Sequence, residues 1–188
     1  DQLGGVFTVN NGLIDAGGDT TLNVDKGTFT VAAGGLSVDN LRVGQDTTTA
    51  LLTVSGGDVR VGDGDGNFDI GRSTSATTTG TVNFASASSV TIDVTNLRMG
   101  SNGSGSNTTQ GDLTLSATGT NTVSATTLTM GFTEGGGNIS ASSSSDLHLG
   151  GMTNTFNVDV MTVGGRKAIG TIDIIAGGVF TLTGDANA

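Results

Sequence analysis

The sequence predicts an all-β chain folded as a parallel β-helix, a β-solenoid of about three short strands per coil and roughly six coils. Three observations predict it: a repeated phrase, alternating apolar residues and a composition that disfavours helix. Thr28-Phe29-Thr30-Val31-Ala32-Ala33-Gly34-Gly35-Leu36-Ser37-Val38 matches the run from Leu51 to Val61 and the run from Thr171 to Thr181. Self-similarity of this kind marks a repeat architecture in which each unit buries its apolar face only against its neighbours. The chain also opens on Gly4-Gly5-Val6-Phe7-Thr8 and closes on Gly177-Gly178-Val179-Phe180-Thr181. The two ends read as the same repeat phase, and residues 1–188 as one solenoid domain with an integral number of repeats.

Thr28-Phe29-Thr30-Val31, Asp112-Leu113-Thr114-Leu115, Asp146-Leu147-His148-Leu149 and Phe156-Asn157-Val158-Asp159-Val160 alternate with period two. That is the pattern of a strand with one buried face. The chain has 33 Gly, no Pro, Cys, Trp or Tyr, and only 13% charged residues. Ser, Thr, Asn and Gly replace the usual Lys and Glu. They favour strands and turns, because hydroxyls and amides compete for backbone hydrogen bonds and Gly loses the most entropy in a helix. The 34% hydrophobic share and its alternation argue against disorder.

A second phrase, apolar-x-apolar-Gly, orders the elements. It occurs as Leu41-Arg42-Val43-Gly44, Phe68-Asp69-Ile70-Gly71, Leu97-Arg98-Met99-Gly100, Leu128-Thr129-Met130-Gly131 and Met161-Thr162-Val163-Gly164, with glycines 27, 29, 31 and 33 residues apart. After each glycine comes a polar stretch, such as Gln45-Asp46-Thr47-Thr48-Thr49. Then follows a second strand, predicted at residues 51–54, 81–84, 113–115, 139–141 and 172–174, with one or two further short strands before the next glycine. Glycine at each corner supplies the φ > 0 conformation that a sharp turn needs. Growing intervals mean that corner loops vary while strands keep their length. Among the residues assigned to the inward columns are Val31, Leu52, Leu113, Leu147, Val158, Val160, Ile172, Ile174 and Phe180. An antiparallel sandwich is the competing fold, but it shows two-residue hairpins and no internal self-similarity.

Formal net charge is −10 and the pI is near 4.1. Nucleic acid is excluded as a partner, since phosphate binding needs clustered cations and the seven Lys and Arg are dispersed. No apolar run reaches the roughly 20 residues that span a bilayer, and no aromatic girdle marks a transmembrane barrel, so no membrane insertion is expected. Beginning at Asp1, the chain reads as a processed product or a fragment.

Leu52-Thr53-Val54-Ser55-Gly56-Gly57 and Asn96-Leu97-Arg98-Met99-Gly100 resemble repeats in the passenger regions of bacterial autotransporters and related surface-repeat proteins. The resemblance covers most of the chain. It implies a right-handed β-helix, extracellular or at a bacterial cell surface, serving in adhesion, matrix or scaffold.

The densest acidic constellation is Asp63-Gly64-Asp65-Gly66-Asn67-Phe68-Asp69. Oxygen ligands at alternate positions suit a hard cation, which makes Asp63, Asp65, Asn67 and Asp69 the candidate calcium ligands. Phe68 and Thr74 stand where an EF-hand loop needs Gly and Glu, and a plain corner loop of turn formers is the competing reading. His148, the single His, points outward between two leucines, and no nucleophile-elbow motif accompanies it. No enzyme activity is expected. Sugar-cleaving sites need facing carboxylates, and the Asp58, Asp63, Asp65 and Asp69 cluster, with Arg60 and Arg72 as charge partners, lacks an aromatic platform. Thr-rich runs fall at different phases, which sets ice binding aside. Asn102-Gly103-Ser104, Asn107-Thr108-Thr109 and Asn138-Ile139-Ser140 fit the glycosylation sequon at a near-chance frequency.

The function expected is an extracellular structural solenoid, adhesin-like or fibre- and matrix-forming, with itself as partner in a head-to-tail homopolymer. Val6-Phe7-Thr8 of one copy is expected to stack on Val179-Phe180-Thr181 of the next. The alternative is a carbohydrate-binding or carbohydrate-processing β-helix, whose partner is a host or matrix polysaccharide.

Overall fold

A computed structural model describes residues 2–46, 49–103, 107–133, 143–165 and 168–184. Its elements are all strands: β1 (Gln2–Val9), β2 (Ile14–Val31), β3 (Leu36–Gln45), β4 (Thr49–Val54), β5 (Asp58–Val61), β6 (Asn67–Arg72) and β7 (Thr78–Asn83). These are followed by β8 (Ser89–Asn102), β9 (Thr109–Thr114), β10 (Thr120–Thr133), β11 (Ser144–Leu149), β12 (Thr153–Val163), β13 (Ile169–Ile174) and β14 (Val179–Thr183). Every pairing between them is parallel, so the chain is a parallel β-solenoid and the antiparallel sandwich falls away. Among the described residues no helix is long and apolar enough to cross a membrane.

The strands stack on three faces. The first face runs β1, residues 28–31 of β2, β4, β7, β9, β11 and β13. The second runs residues 14–16 of β2, 36–38 of β3, β5, 90–94 of β8, 121–125 of β10, 154–158 of β12, and β14. The third runs residues 21–24, 40–43, β6, 96–102, 127–133 and 160–163. Seven, seven and six strands are thus described on the three faces. Successive coils rise by about 4.8 Å, the spacing of paired strands. The repeated phrases at Thr28, Leu51 and Thr171 all begin on the first face, as the self-similarity requires.

Alternation sends one residue of each pair inward, and the interior columns are aliphatic with interspersed Phe. Leu52, Val82, Leu113 and Leu147 form one column; Leu41, Phe68, Leu97 and Leu128 form another, all wholly buried. Burial of each such side chain contributes about 1.5–3 kcal/mol. Two inward assignments need correction. Val160 is 55% exposed, because Asp159 turns the corner between the second and third faces and flips the alternation, so that Met161 faces the core. Ile174 is 49% exposed because it lies on the last first-face strand, β13, with no described strand above. The first-face strand of the sixth coil is β11, carrying Leu147 and Leu149. The strand predicted at 139–141 lies outside the described residues, as do Thr47, Thr48, Ser104 and Asn138.

The five phrase glycines all have positive φ, between 56° at Gly100 and 70° at Gly44 and Gly164. Their corner also demands small neighbours. A Cβ on Gly71 would lie 1.7 Å from the Gln110 carbonyl oxygen, and one on Gly80 would lie 2.4 Å from the Gly71 nitrogen. Gly27, Ala50, Gly80, Gly111 and Ser145 accordingly stack in register where the first-face strands begin.

Candidate functional site

Of the four residues read as a cation loop, only two occupy a loop. Asp63 and Asp65 are exposed in the bend between β5 and β6, held by Gly62 N–H donating to Val38 O at 2.7 Å and Gly64 N–H to Asp93 O at 2.9 Å. The Asp65 carboxyl is pushed above the usual carboxylate value, first by sharing a hydrogen bond with Asp63 and then by its charge. Asp19 and Asp39, in the two preceding coils, act in the same direction.

Asn67 and Asp69 lie on β6, where both are engaged. Asn67 Oδ1 accepts from Asn96 Nδ2 at 2.9 Å and from Arg98 Nη2 at 3.2 Å. Asp69 is only 2% exposed and takes a bidentate grip from Arg98, with Nε to Oδ1 at 2.6 Å and Nη2 to Oδ2 at 3.0 Å. Arg42 and Arg72 stand 4.0 and 3.9 Å from the same carboxylate. A carboxylate so compensated has little charge left for a cation. The four residues therefore do not converge as a ligand set. Among the described residues no group of three or more His, Cys, Asp or Glu is placed to hold a metal. Arg60, the other expected charge partner, turns its Nε to Gly62 O at 3.2 Å.

Arg98 was legible. Arg42, Asp69 and Arg98 are the central x of three successive apolar-x-apolar-Gly phrases, and stacking makes those positions direct neighbours.

A shallow groove of about 410 Å³ follows the corner between the second and third faces, lined by Gly64, Asp93, Ser124, Thr126, Asn157 and Asp159 among others. Thr95, Thr126 and Asp159 each turn that corner in one residue. The third coil instead spends residues 62–66 on it, and this bend forms one end of the groove. Asp93, Ser124 and Asn157 are successive outward residues of one ladder, so the groove offers a carboxylate, a hydroxyl and an amide at about 4.8 Å steps. Nothing in the sequence signals it, because its residues are the outward members of three strands about thirty positions apart.

Two buried asparagines were also missed. Asn121 and Asn154 occupy inward positions at the start of the second face, where Val90 sits one coil earlier. Asn121 Nδ2 donates to Asn154 Oδ1 at 2.9 Å. Asn121 also bridges the corner of its own coil, accepting from Ser116 N–H at 3.0 Å and donating to Ser116 O at 2.9 Å. Asn154 does the same for Gly150, at 3.1 and 3.0 Å, and reaches Val179 O at 3.0 Å. Backbone groups at a buried corner need such partners. His148 points outward as expected, its Nδ1 3.5 Å from Asp173. Asn102, in a sequon, is wholly buried.

The two ends of the stack are apolar. Phe7 is 51% exposed and stacks on Phe29 at 5.0 Å; Phe180 meets Phe156 edge-on at 5.2 Å. Leu13, Ile169, Ile175, Val179 and Leu182 are exposed too. The end phrases are not in the same phase, however. Val6-Phe7-Thr8 pairs with Thr28-Phe29-Thr30 on the first face, whereas Val179-Phe180-Thr181 pairs with Thr153-Asn154-Thr155 on the second. Gly-Gly precedes both because glycine serves every corner, so the local likeness misleads about phase.

Fold and surface define a class: a parallel β-solenoid with a mostly aliphatic core, hydroxyl- and amide-rich flanks and apolar residues exposed at both ends of the described stack. No family model matches the chain, and no curated protein or solved structure is significantly similar to it.

Proposed function

We propose that this chain is an extracellular structural solenoid, without catalytic activity, that works as a scaffold by stacking end to end. The observation that carries the reading is the apolar residues exposed at both ends of the described stack. Strands at the edge of a sheet are normally shortened, charged or covered, because unpaired N–H and C=O groups recruit further strands. Here β1 and β13 each have one edge with no described partner strand, and apolar columns beside them are half exposed. An end contact of this kind is heterologous and unclosed, so it gives filaments instead of dimers. Surface location, adhesin-like or matrix-forming, accords with flanks of Ser, Thr and Asn and with the resemblance to bacterial surface repeats. Electron microscopy and sedimentation over a concentration series test it: unbranched fibres support the scaffold, and monomers at millimolar concentration overturn it.

The groove supports a second reading, a carbohydrate-binding β-helix. Asp93 and Asp159 line it with Ser124 and Asn157 between them, a set able to hydrogen-bond sugar hydroxyls. Titration with cellohexaose and maltohexaose, repeated on an Asp93→Asn/Asp159→Asn variant, checks it. Heat that the variant abolishes supports binding; no heat from either sugar removes the reading.

A further inference from the structure

The geometry points to one particular seam between stacked copies, in which β1 of the incoming copy pairs with β13 and residues 14–16 pair with β14. This inference rests on the stacking reading and specifies its interface: the partner is a second copy of this chain. Three observations carry it.

The first is continuity of the columns. Following the register up the first face from Phe7 through Phe29, Leu52, Val82, Leu113 and Leu147 ends at Ile172. On the second face Ile14 leads through Leu36, Val59, Val90, Asn121 and Asn154 to Phe180. A stacked copy therefore lays Phe7 on Ile172 and Ile14 on Phe180, apolar on apolar, in the pairing every internal coil uses.

The second is the same continuity on the third face. On the third face the described column that starts at Gln2, beneath Val24, rises through Val43, Ile70, Met99 and Met130 to Val163. Stacking brings the backbone of Gln2 onto Val163, which is exposed in the single copy.

The third is charge. In this register Asp173 faces Thr8 and Asp15 faces Thr181, so neither of these aspartates is set against a like charge. Stacking Val6-Phe7-Thr8 onto Val179-Phe180-Thr181 instead sets a first-face strand on a second-face one and leaves β13 uncovered. Each copy carries a net charge of −10, and that repulsion is screened over about 10 Å at 0.1 M salt. Assembly therefore strengthens as salt is added.

The chain has no cysteine, so disulfide trapping reads the register directly. Neighbouring Cα atoms on paired strands fall within the roughly 4.4–6.8 Å that a disulfide spans. Thr8→Cys with Asp173→Cys is expected to give a ladder of covalent oligomers on mild oxidation in 0.3 M salt, reversed by reductant. Thr8→Cys with Thr181→Cys is expected to stay monomeric on the same gel. Asp15→Cys with Thr181→Cys reports the second-face pairing if the first pair folds poorly, as judged by its melt under reductant. Filaments that form while neither the Thr8→Cys/Asp173→Cys nor the Asp15→Cys/Thr181→Cys variant gives a ladder overturn the register and leave stacking in place. A ladder from the Thr8→Cys/Thr181→Cys variant does the same. Absence of assembly for wild type and variants alike, at any salt, overturns both.

Discussion

The fifth coil and the seventh share one alternating pattern and live in different environments. Leu113 and Ile172 occupy one column, two coils apart, each in an alternating run opened by a polar residue. Leu113 is wholly buried, whereas Ile172 is only partly covered and Ile174 beside it is half exposed. Burial in a solenoid is set by neighbours above and below, so a residue's importance follows its place in the stack more than its type. That contrast ranks the consequences of mutation.

The largest effect is expected from a charge in the middle. Leu113→Asp puts an unpaired carboxylate among aliphatic side chains and should cost upwards of about 4 kcal/mol, read as a collapse of the thermal midpoint. Ile174→Asp should leave the midpoint of the single copy within about 1 kcal/mol of wild type while abolishing filaments. Equal destabilisation by both would mean that the last coil is covered in solution.

The corner glycines sharpen the same comparison. Gly71 and Gly164 share a left-handed backbone, φ 61° and 70°, so alanine strains both by about 1–2 kcal/mol. They differ in what the new methyl meets: Gln110 O at 1.7 Å in the middle of the stack, Ala168 O at 3.2 Å near its end. Gly71→Ala should therefore cost about 3 kcal/mol or more and Gly164→Ala only the strain. Chemical denaturation of the two variants checks it, and equal losses would show that the inter-coil clash relaxes freely.

These differences mark what a reader of the sequence can see. Period two and the glycine phrase revealed the all-β class, parallel stacking and most of the inward columns, because burial selects residue type directly. Phase was harder. A one-residue corner at Asp159 reverses inward and outward without any change of residue class, which is why Val160 reads as core and is not. The buried Asn121 and Asn154 carry no signal in the sequence, because their role depends on corner backbone groups and on each other, thirty-three residues apart. The acidic run looked like one loop, yet a strand boundary passes through it and gives Asp69 to Arg98. Loop and groove are assembled across coils, and only register brings them together.

Asn154 tests the corner network at an intermediate size. Asn154→Ala leaves Gly150 N–H and O, and Asn121 Nδ2, without their partner, at about 2–3 kcal/mol. Because Asn154 also holds Val179 O, hydrogen exchange in β14 should rise more than in β5. Uniform loss of protection would assign the network to global stability alone.

The smallest effect expected is on pH dependence, and here the two ends of the carboxylate scale pull in opposite directions. Burial chiefly raises the Asp112 carboxyl above the ordinary 3.8, with Asp146 on the next coil adding to it and Gln110 Nε2, donating at 2.9 Å, opposing. Asp65 is raised as well, by Asp63. A group whose folded value is raised costs stability when ionised, so stability increases as pH falls from neutrality toward 3.8. Asp46 behaves oppositely: Thr74 N–H, donating at 2.8 Å, holds it below 3.8, and its contribution is lost as pH falls through that lowered value. Thermal midpoints should therefore peak in mildly acid solution. The general fall in net charge toward the pI acts in the same sense, so the local part must be isolated by mutation. Asp112→Asn should raise the midpoint at pH 7 and leave it unchanged at about pH 3.5, a difference of under about 1 kcal/mol once solvent screening of this half-exposed group is allowed for. An equal shift at both values would mean that the asparagine acts through packing and that the stacked Asp112 and Asp146 pair carries no ionisation cost.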